Sequence, residues 1–218
     1  MGFWKKLIGV ITSADKEFTS VKIDKQEWMT ENLNLVKFRN GDLIPKAKTA
    51  MEWKKAIDYK KPAWCFYEND SANGRVFGKL YNWHAVNDPR GLAPDGWHVP
   101  SDDEWRVLTE FLGGKEIYGK FYDGKQYWYT PSAGGKMLNS QFWGEATNSS
   151  GFSGLPGGTR SCFLSFSFNK IRAFGYYWSS TEYKETFAWI RSLQSFEGNV
   201  DRDFRPQGEG LSVRCLRD

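Results

Sequence analysis

Histidine, cysteine and proline are scarce in this chain of 218 residues, which holds 2 His, 3 Cys and 8 Pro. His84 and His98 each follow a Trp and stand in no HExxH or HxH spacing, so both read as structural rather than as ligands or bases. Cys65, Cys162 and Cys215 form no CxxC pair, which excludes a zinc ribbon and a thioredoxin-like centre, and an odd number of thiols does not suit a disulfide-stapled secreted domain. No stretch approaches the ~18 consecutive apolar residues that a membrane-spanning helix needs. Near the start, Leu7 to Ile11 is short for a signal-peptide core, no small-residue cleavage site follows, and Lys6 stands where myristoylation wants Ser or Thr. Residues 1–9 therefore read as a tail or a small patch for docking onto a larger particle, and the expected location is cytoplasmic or particle-associated. Neither GxSxG nor a P-loop nor a strand-to-helix GxGxxG occurs, so no cofactor is expected. Charge of one sign is not in excess either: 30 Lys and Arg against 26 Asp and Glu give +4, too mild for a nucleic-acid partner.

What is present is aromatic mass. The 11 Trp, 10 Tyr and 16 Phe make 17% of the chain, beside 22 Gly, which points to many short strands and tight turns around wide apolar side chains. Glu17 to Ile23 alternates as a strand, with Thr19, Val21 and Ile23 on one side. Asn40-Gly41-Asp42 is a turn. Thr49 to Glu52 is a capping box, and Trp53, Ala56 and Ile57 then recur at helical spacing. Ser101 to Glu104 is a second capping box. It is followed by a stripe of Trp105, Leu108, Phe111 and Leu112, and by Gly113-Gly114 as a stop. Asp102, Asp103 and Glu104 fit that helix start better than they fit catalysis. Glu68 to Gly74 is rich in oxygen but lacks the closing bidentate Glu of an EF-hand, so it reads as a polar turn. Further strand candidates are Cys162 to Phe168, Tyr176 to Trp178, Phe187 to Leu193 and Leu211 to Leu216, the last with Leu211, Val213 and Cys215 facing inward. Two short helices early and strands late, with no repeat or linker, make an α+β domain over residues 10–218.

The segment 183–210 is chemically scattered. It predicts strand, turn and strand about Glu197-Gly198-Asn199, and then a loop over 201–209 with no clean period. Exposed Phe and Arg beside carboxylates suit a binding surface. Phe187, Ile190, Phe196, Asp201, Asp203, Phe204, Arg205 and Gln207 are expected to converge on one patch.

Several strings then carry a resemblance: Glu27 to Asn34, Gly78 to Val86, Gly91 to Glu104, Gly135-Lys136, Gly151 to Gly158, Tyr177 to Glu182 and Leu211 to Arg217. Together they resemble the Fibrobacter succinogenes major paralogous domain, which is similar to the formylglycine-generating-enzyme branch of the C-type-lectin fold. The resemblance implies two helices around a small twisted antiparallel sheet with extensive loops. The same fold carries the variable proteins of diversity-generating retroelements, whose template adenines are randomised so that Asn codons become almost any residue. The Asn-rich tail of the family lies on Tyr183 to Gly210 without a gap. Ala188, Trp189, Arg191, Leu193, Gly198, Asn199, Val200, Arg202 and Gly210 keep its pattern. Thr186, Phe187, Ile190, Ser192, Phe196, Asp201, Asp203, Phe204, Arg205, Pro206 and Gly208 stand where Asn would, each reachable by adenine changes alone. Gln207 is reachable in the same way from Lys, and Ser195 from Tyr. Lys184, Glu185, Gln194, Glu197 and Glu209 are not reachable from Asn codons. The implied ligand set is Thr186, Phe187, Ile190, Ser192, Ser195, Phe196, Asp201, Asp203, Phe204, Arg205, Pro206, Gln207 and Glu209, facing a protein or cell-surface ligand over a scaffold of Trp178, Ala188, Trp189, Leu193, Val200 and Val213.

Three rival readings stand beside it. A formylglycine-generating oxidase holds copper(I) with a close cysteine pair; Arg214-Cys215 matches its terminal motif, but the stretch around 183–192 has no cysteine. A calcium-dependent sugar lectin lacks its EPN, QPD or WND strings here. An undiversified paralogous domain would be a structural or adhesion module.

Overall fold

The computed structural model describes residues 18–122, 125–144, 146–163, 165–194 and 198–218. The tail at 1–9, Glu17, Leu164, Ser195, Phe196 and Glu197 lie outside the described residues.

The predicted first strand is one arm of a hairpin, β1 (Ser20–Ile23) and β2 (Gln26–Met29), in which Ile23 is buried and Lys22 faces solvent. At the Asn40 turn the Asp42 N–H donates to the Asn40 side chain at 3.0 Å, and Gly41 takes the φ of +92° that the reversal requires. The first capping box opens α1 (Ala50–Asp58): the Glu52 N–H donates to Thr49 Oγ1, and the Glu52 carboxylate accepts the Thr49 N–H at 2.8 Å. Trp53 is fully buried and donates its indole N–H to the Gly208 carbonyl at 3.0 Å, which ties this helix to the C-terminal region.

Short elements follow: β3 (Trp64–Cys65), α2 (Ser71–Phe77), β4 (Leu80–Tyr81), α3 (Trp83–Val86) and β5 (Trp97–His98). Asp70 caps α2 by accepting the Ala72 N–H, so the oxygen-rich stretch before it is a turn and a helix start. The second capping box opens α4 (Asp102–Gly113), and Gly114 ends it at φ +86°. Trp105, Leu108 and Leu112 are buried as predicted; Phe111 is exposed, a correction to the stripe. At roughly 100° per residue Phe111 falls a quarter-turn from the centre of the other three.

After α4 come β6 (Ile117–Tyr122), β7 (Lys125–Thr130), α5 (Ala133–Met137), β8 (Thr159–Arg160), β9 (Phe168–Asn169), β10 (Phe174–Lys184), β11 (Phe187–Gln194), β12 (Val200–Pro206) and β13 (Leu216–Arg217). The described residues thus hold five α-helices where two were expected. The alternation at Cys162 to Phe168 is not a strand: the Ser161 N–H donates to the Ser167 carbonyl at 2.8 Å, closing a loop in which Phe166 has φ +47°. Residues 201–206, expected as loop, form β12. The stretch from Leu211 to Leu216 is not one strand. It bridges Tyr81 and Tyr177 briefly and pairs only at β13, and Ser212 and Arg214 are buried along with Leu211, Val213 and Cys215.

The result is α+β, with several small antiparallel sheets. One runs β1-β2-β13-β5 and the largest β10-β11-β12-β7-β6, beside the pairs β3-β4 and β8-β9. One apolar cluster joins Trp64, Trp83, Trp97, Trp178 and Ile190 to Val213 and Cys215; another joins Trp28, Trp105, Phe152 and Tyr177 to Leu193 and Val200. Loops between them are cross-tied by buried cations. The Arg214 guanidinium donates to the carbonyls of Met29 at 2.9 Å and Phe152 at 2.5 Å and to Asn32 Oδ1 at 2.8 Å, and Arg160 donates to the carbonyls of Ala47 at 2.7 Å and Thr49 at 2.9 Å. Loop carbonyls buried between the clusters gain charged side-chain donors in this way.

Candidate binding surface

Along a strand, successive side chains leave by opposite faces. The register of β11 on β12 pairs Ala188 with Arg205, Ile190 with Asp203 and Ser192 with Asp201 on one face. Phe187 with Pro206, Trp189 with Phe204, Arg191 with Arg202 and Leu193 with Val200 take the other. The expected convergence on a single patch is therefore corrected: period two divides the residues between two surfaces.

On the second face, α4 covers the inner end. Leu193 and Val200 pack with Trp105 and Leu108. Arg191, 1% exposed, donates from Nη1 to Asp102 Oδ1 at 2.6 Å and from Nη2 to the Asp102 carbonyl at 3.0 Å. Arg202 grips the same carboxylate through Nε at 3.0 Å and Nη2 at 2.5 Å, and its Nη1 lies 3.5 Å from Glu116. Burial alone would raise the Asp102 carboxyl; the Arg202 hydrogen bonds and the Arg191 charge outweigh it and hold the group below its ordinary range. Sequence reasoning assigned Asp102 to the helix cap and missed this pairing, since its partners lie about a hundred positions away along the chain.

Beyond the helix start the same face carries an aromatic cluster. Tyr183 stacks on Phe204 at 4.2 Å and 14°, Trp189 meets Tyr183 edge-on at 4.6 Å, and Phe187 meets Phe204 edge-on at 5.7 Å. The Arg202 guanidinium lies 3.8 Å from the Trp189 ring centre. Phe204 is 39% exposed. Trp189 is only half-buried, a correction to its assignment as scaffold core alongside Trp178, Ala188, Leu193, Val200 and Val213, which are all buried.

The first face begins apolar. Ile190 is 0% exposed and packs with Trp178 and Ala188, which corrects its place in the ligand set: the position opposite Asp203 falls over the core. Further along, this face opens into a cavity of about 410 Å³. Ser192, Gln194, Asp201, Asp203 and Arg205 line it from the two strands, Phe174 and Tyr176 from β10, and Tyr127 from β7. Thr159, Ser161, Asn169, Lys170 and Glu209 complete the wall. Arg205 lies 3.4 Å from Asp203, and the Gln194 amide donates to Asp201 at 3.2 Å. Burial pushes the Glu209 carboxyl up, partly offset by Arg205. Burial alone would lower Arg205, and the neighbouring Asp203 and Glu209 outweigh it and raise it. The contributors before residue 183 were not legible in the sequence, because they arrive from loops and strands distant along the chain.

Of the remaining candidates, Thr186 is exposed at the β10–β11 turn and Pro206 is half-buried. Gln207 is buried, donating its amide to Glu182 at 2.9 Å and its N–H to the Thr186 carbonyl at 2.9 Å, so it braces the turn rather than meeting a ligand. The His98 ring nitrogens lie 2.8 Å from Asp218 and 2.9 Å from Glu104, and burial lowers the His84 pKa. All three thiols are free; burial raises Cys65 to about 11 and both Cys162 and Cys215 to about 12. Among the described residues no group of three or more His, Cys, Asp or Glu is placed to hold a metal ion, and no helix is long and apolar enough to cross a membrane.

A family model described as the Fibrobacter succinogenes major domain matches residues 21–217. The chain belongs to that family. Comparison with curated proteins and with solved structures returned no match.

Proposed function

We propose that this member of the Fibrobacter succinogenes major domain family is a ligand-binding protein on a C-type-lectin-like fold of the formylglycine-generating-enzyme subtype. Its β11–β12 region is diversified by a retroelement through adenine mutagenesis, and the partner is a protein or cell-surface ligand. One observation carries the reading. Trp189, Arg191, Leu193, Val200 and Arg202, which keep the pattern of the family tail, share the face that packs on α4 or pairs with Asp102. Ser192, Asp201, Asp203 and Arg205, which depart from it, share the face that lines the cavity. The inner end of the second face, with Arg191, Arg202, Leu193 and Val200, keeps its packing and its buried charge pairs, while the departures fall on the first face, where Ala188 keeps the pattern, and on the outer end of the second, at Phe187, Phe204 and Pro206. Exposed Phe204, with half-buried Phe187 edge-on to it, adds an aromatic edge to the changing set, of the kind that anchors protein ligands.

A second reading is favoured by Ile190 and Gln207, both departing positions that are buried. Free variation there would disturb the core, which suits an undiversified adhesion or structural module. Sequencing the genomic locus separates the two. A nearby repeat of the 183–210 coding segment, mismatched only at its adenines and accompanied by a reverse-transcriptase gene, is the expected result. A locus with neither overturns the diversification.

A further inference from the structure

We propose that the cavity on the Ser192 face of β11 and β12 is a metal-independent site for one neutral sugar residue. The inference rests on the reading of that face as the ligand surface and goes beyond it by naming the chemical class of the guest. The volume, about 410 Å³, lies in the range of small-molecule sites, roughly 300–1,000 Å³.

Charge argues against an ionic guest. Asp201, Asp203 and Glu209 face Arg205 and Lys170 in the same wall, so the formal charges nearly cancel. Asp203 already holds Arg205 at 3.4 Å. A carboxylate guest meets three resident carboxylates, and an ammonium finds Asp203 already paired with Arg205, Glu209 held toward its neutral form by burial and two resident cations, so neither finds an opposite field large enough to offset its loss of hydration.

The polar groups instead alternate in kind. Carboxylates accept, Ser192 both donates and accepts, and the Arg205 Nε–H is buried with no acceptor among the described residues. A sugar diol presents O–H donors and oxygen acceptors on adjacent carbons. It can give two O–H groups to a carboxylate while its oxygens accept from a guanidinium, and charge-assisted bonds of this kind are the strong ones. The wall also has an apolar part. Phe174 and the largely buried Tyr176 stack on one another at 5.5 Å and 3°, with Lys170 5.3 Å from the first ring centre and Arg205 5.5 Å from the second, and together they give the narrow apolar strip that the C–H groups of a pyranose would meet.

The test uses the full chain in EDTA on an array of neutral, sialylated and sulfated glycans. It is followed by saturation-transfer NMR with the methyl glycosides of the sugars bound, and cadaverine and succinate serve as charged small probes. The expected result is binding of at least one neutral glycoside that weakens about tenfold or more in Asp201→Asn, at an unchanged thermal midpoint. Glu209→Gln, judged on affinity in a protein that stays folded, replaces that variant should it fail to fold. The inference is overturned by an array with no neutral glycan bound, by binding that needs added calcium, by equal affinity in the variant, or by preference for cadaverine or succinate. A template repeat at the locus with no sugar bound refutes the sugar alone; sugar binding at a locus with no template refutes the diversification alone.

Discussion

Replacing Asp102 by Ala removes the one carboxylate that both Arg191 and Arg202 grip. Arg191 is 1% exposed, and among the described residues its other side-chain hydrogen bonds go to the Asp102 and Ile190 carbonyls, so the substitution leaves a buried cation with only the Glu116 charge to oppose it. Arg202 retains Glu116 at 3.5 Å and the Trp189 ring. Breaking a buried pair by removing one member costs about 3–5 kcal/mol, mostly as the penalty on the charge left behind. For a chain of this size, at roughly 2–4 °C per kcal/mol, the thermal midpoint should fall by roughly 6–20 °C. The assay is thermal and urea denaturation followed by tryptophan fluorescence, since Trp105 and Trp178 each lie in one of the two apolar clusters. The pH dependence has a definite sign. The folded carboxyl lies below its unfolded value, so its contribution is present above about pH 4 and is lost as pH falls through the folded pKa. Asp102→Asn should therefore trail wild type at pH 7 and converge on it in acid. A loss under about 1 kcal/mol at pH 7, or a gap unchanged down to pH 2, refutes the reasoning.

Trp178→Ala should cost about 3–5 kcal/mol in the same assay, because the ring is fully buried and its N–H is bonded to the Tyr81 carbonyl at 2.8 Å; Trp189→Ala, at the half-buried edge, should cost less than half of that. Glu209 has a folded pKa raised by burial, so the stability it confers is present in acid and lost as pH rises through that value. Glu209→Gln should raise the thermal midpoint at pH 7, with a gain that shrinks toward about pH 4. Thiol titration with an aromatic disulfide at pH 8 should label Cys65 and Cys215 only after denaturant is added, since both are buried with pKa values near 11 and 12; rapid labelling of either in the native protein contradicts the burial.

Local signals in the chain determined the local structure. Thr49 and Ser101 announce their helices because a hydroxyl followed three residues later by Glu satisfies orphan N–H groups within one turn, whatever the rest of the molecule does. The turn at Asn40 and the strand pair about Gly198 are set by equally short-range chemistry. The motif strings sufficed for the family, since they run in order over most of the chain. Alternation in β11 was also legible, but which face is buried was not. Ile190 looks the same in the sequence whether it meets solvent or Trp178, and only the packing of the sheet against the Trp64–Trp97 cluster decides it. Trp189 shows the converse: the family pattern suggested scaffold core, yet it stands half-buried in the aromatic edge with Tyr183 and Phe204. Asp102 read as a cap residue because its register with the helix is local, whereas Arg191 and Arg202 come from strands brought alongside only by the closure of the five-stranded sheet. The cavity is the strongest case. Tyr127, Thr159, Lys170, Tyr176 and Arg205 share no spacing or period, and they become one wall because β7, β10 and β12 belong to one five-stranded sheet while Thr159 and Lys170 arrive from the β8–β9 pair and its flank.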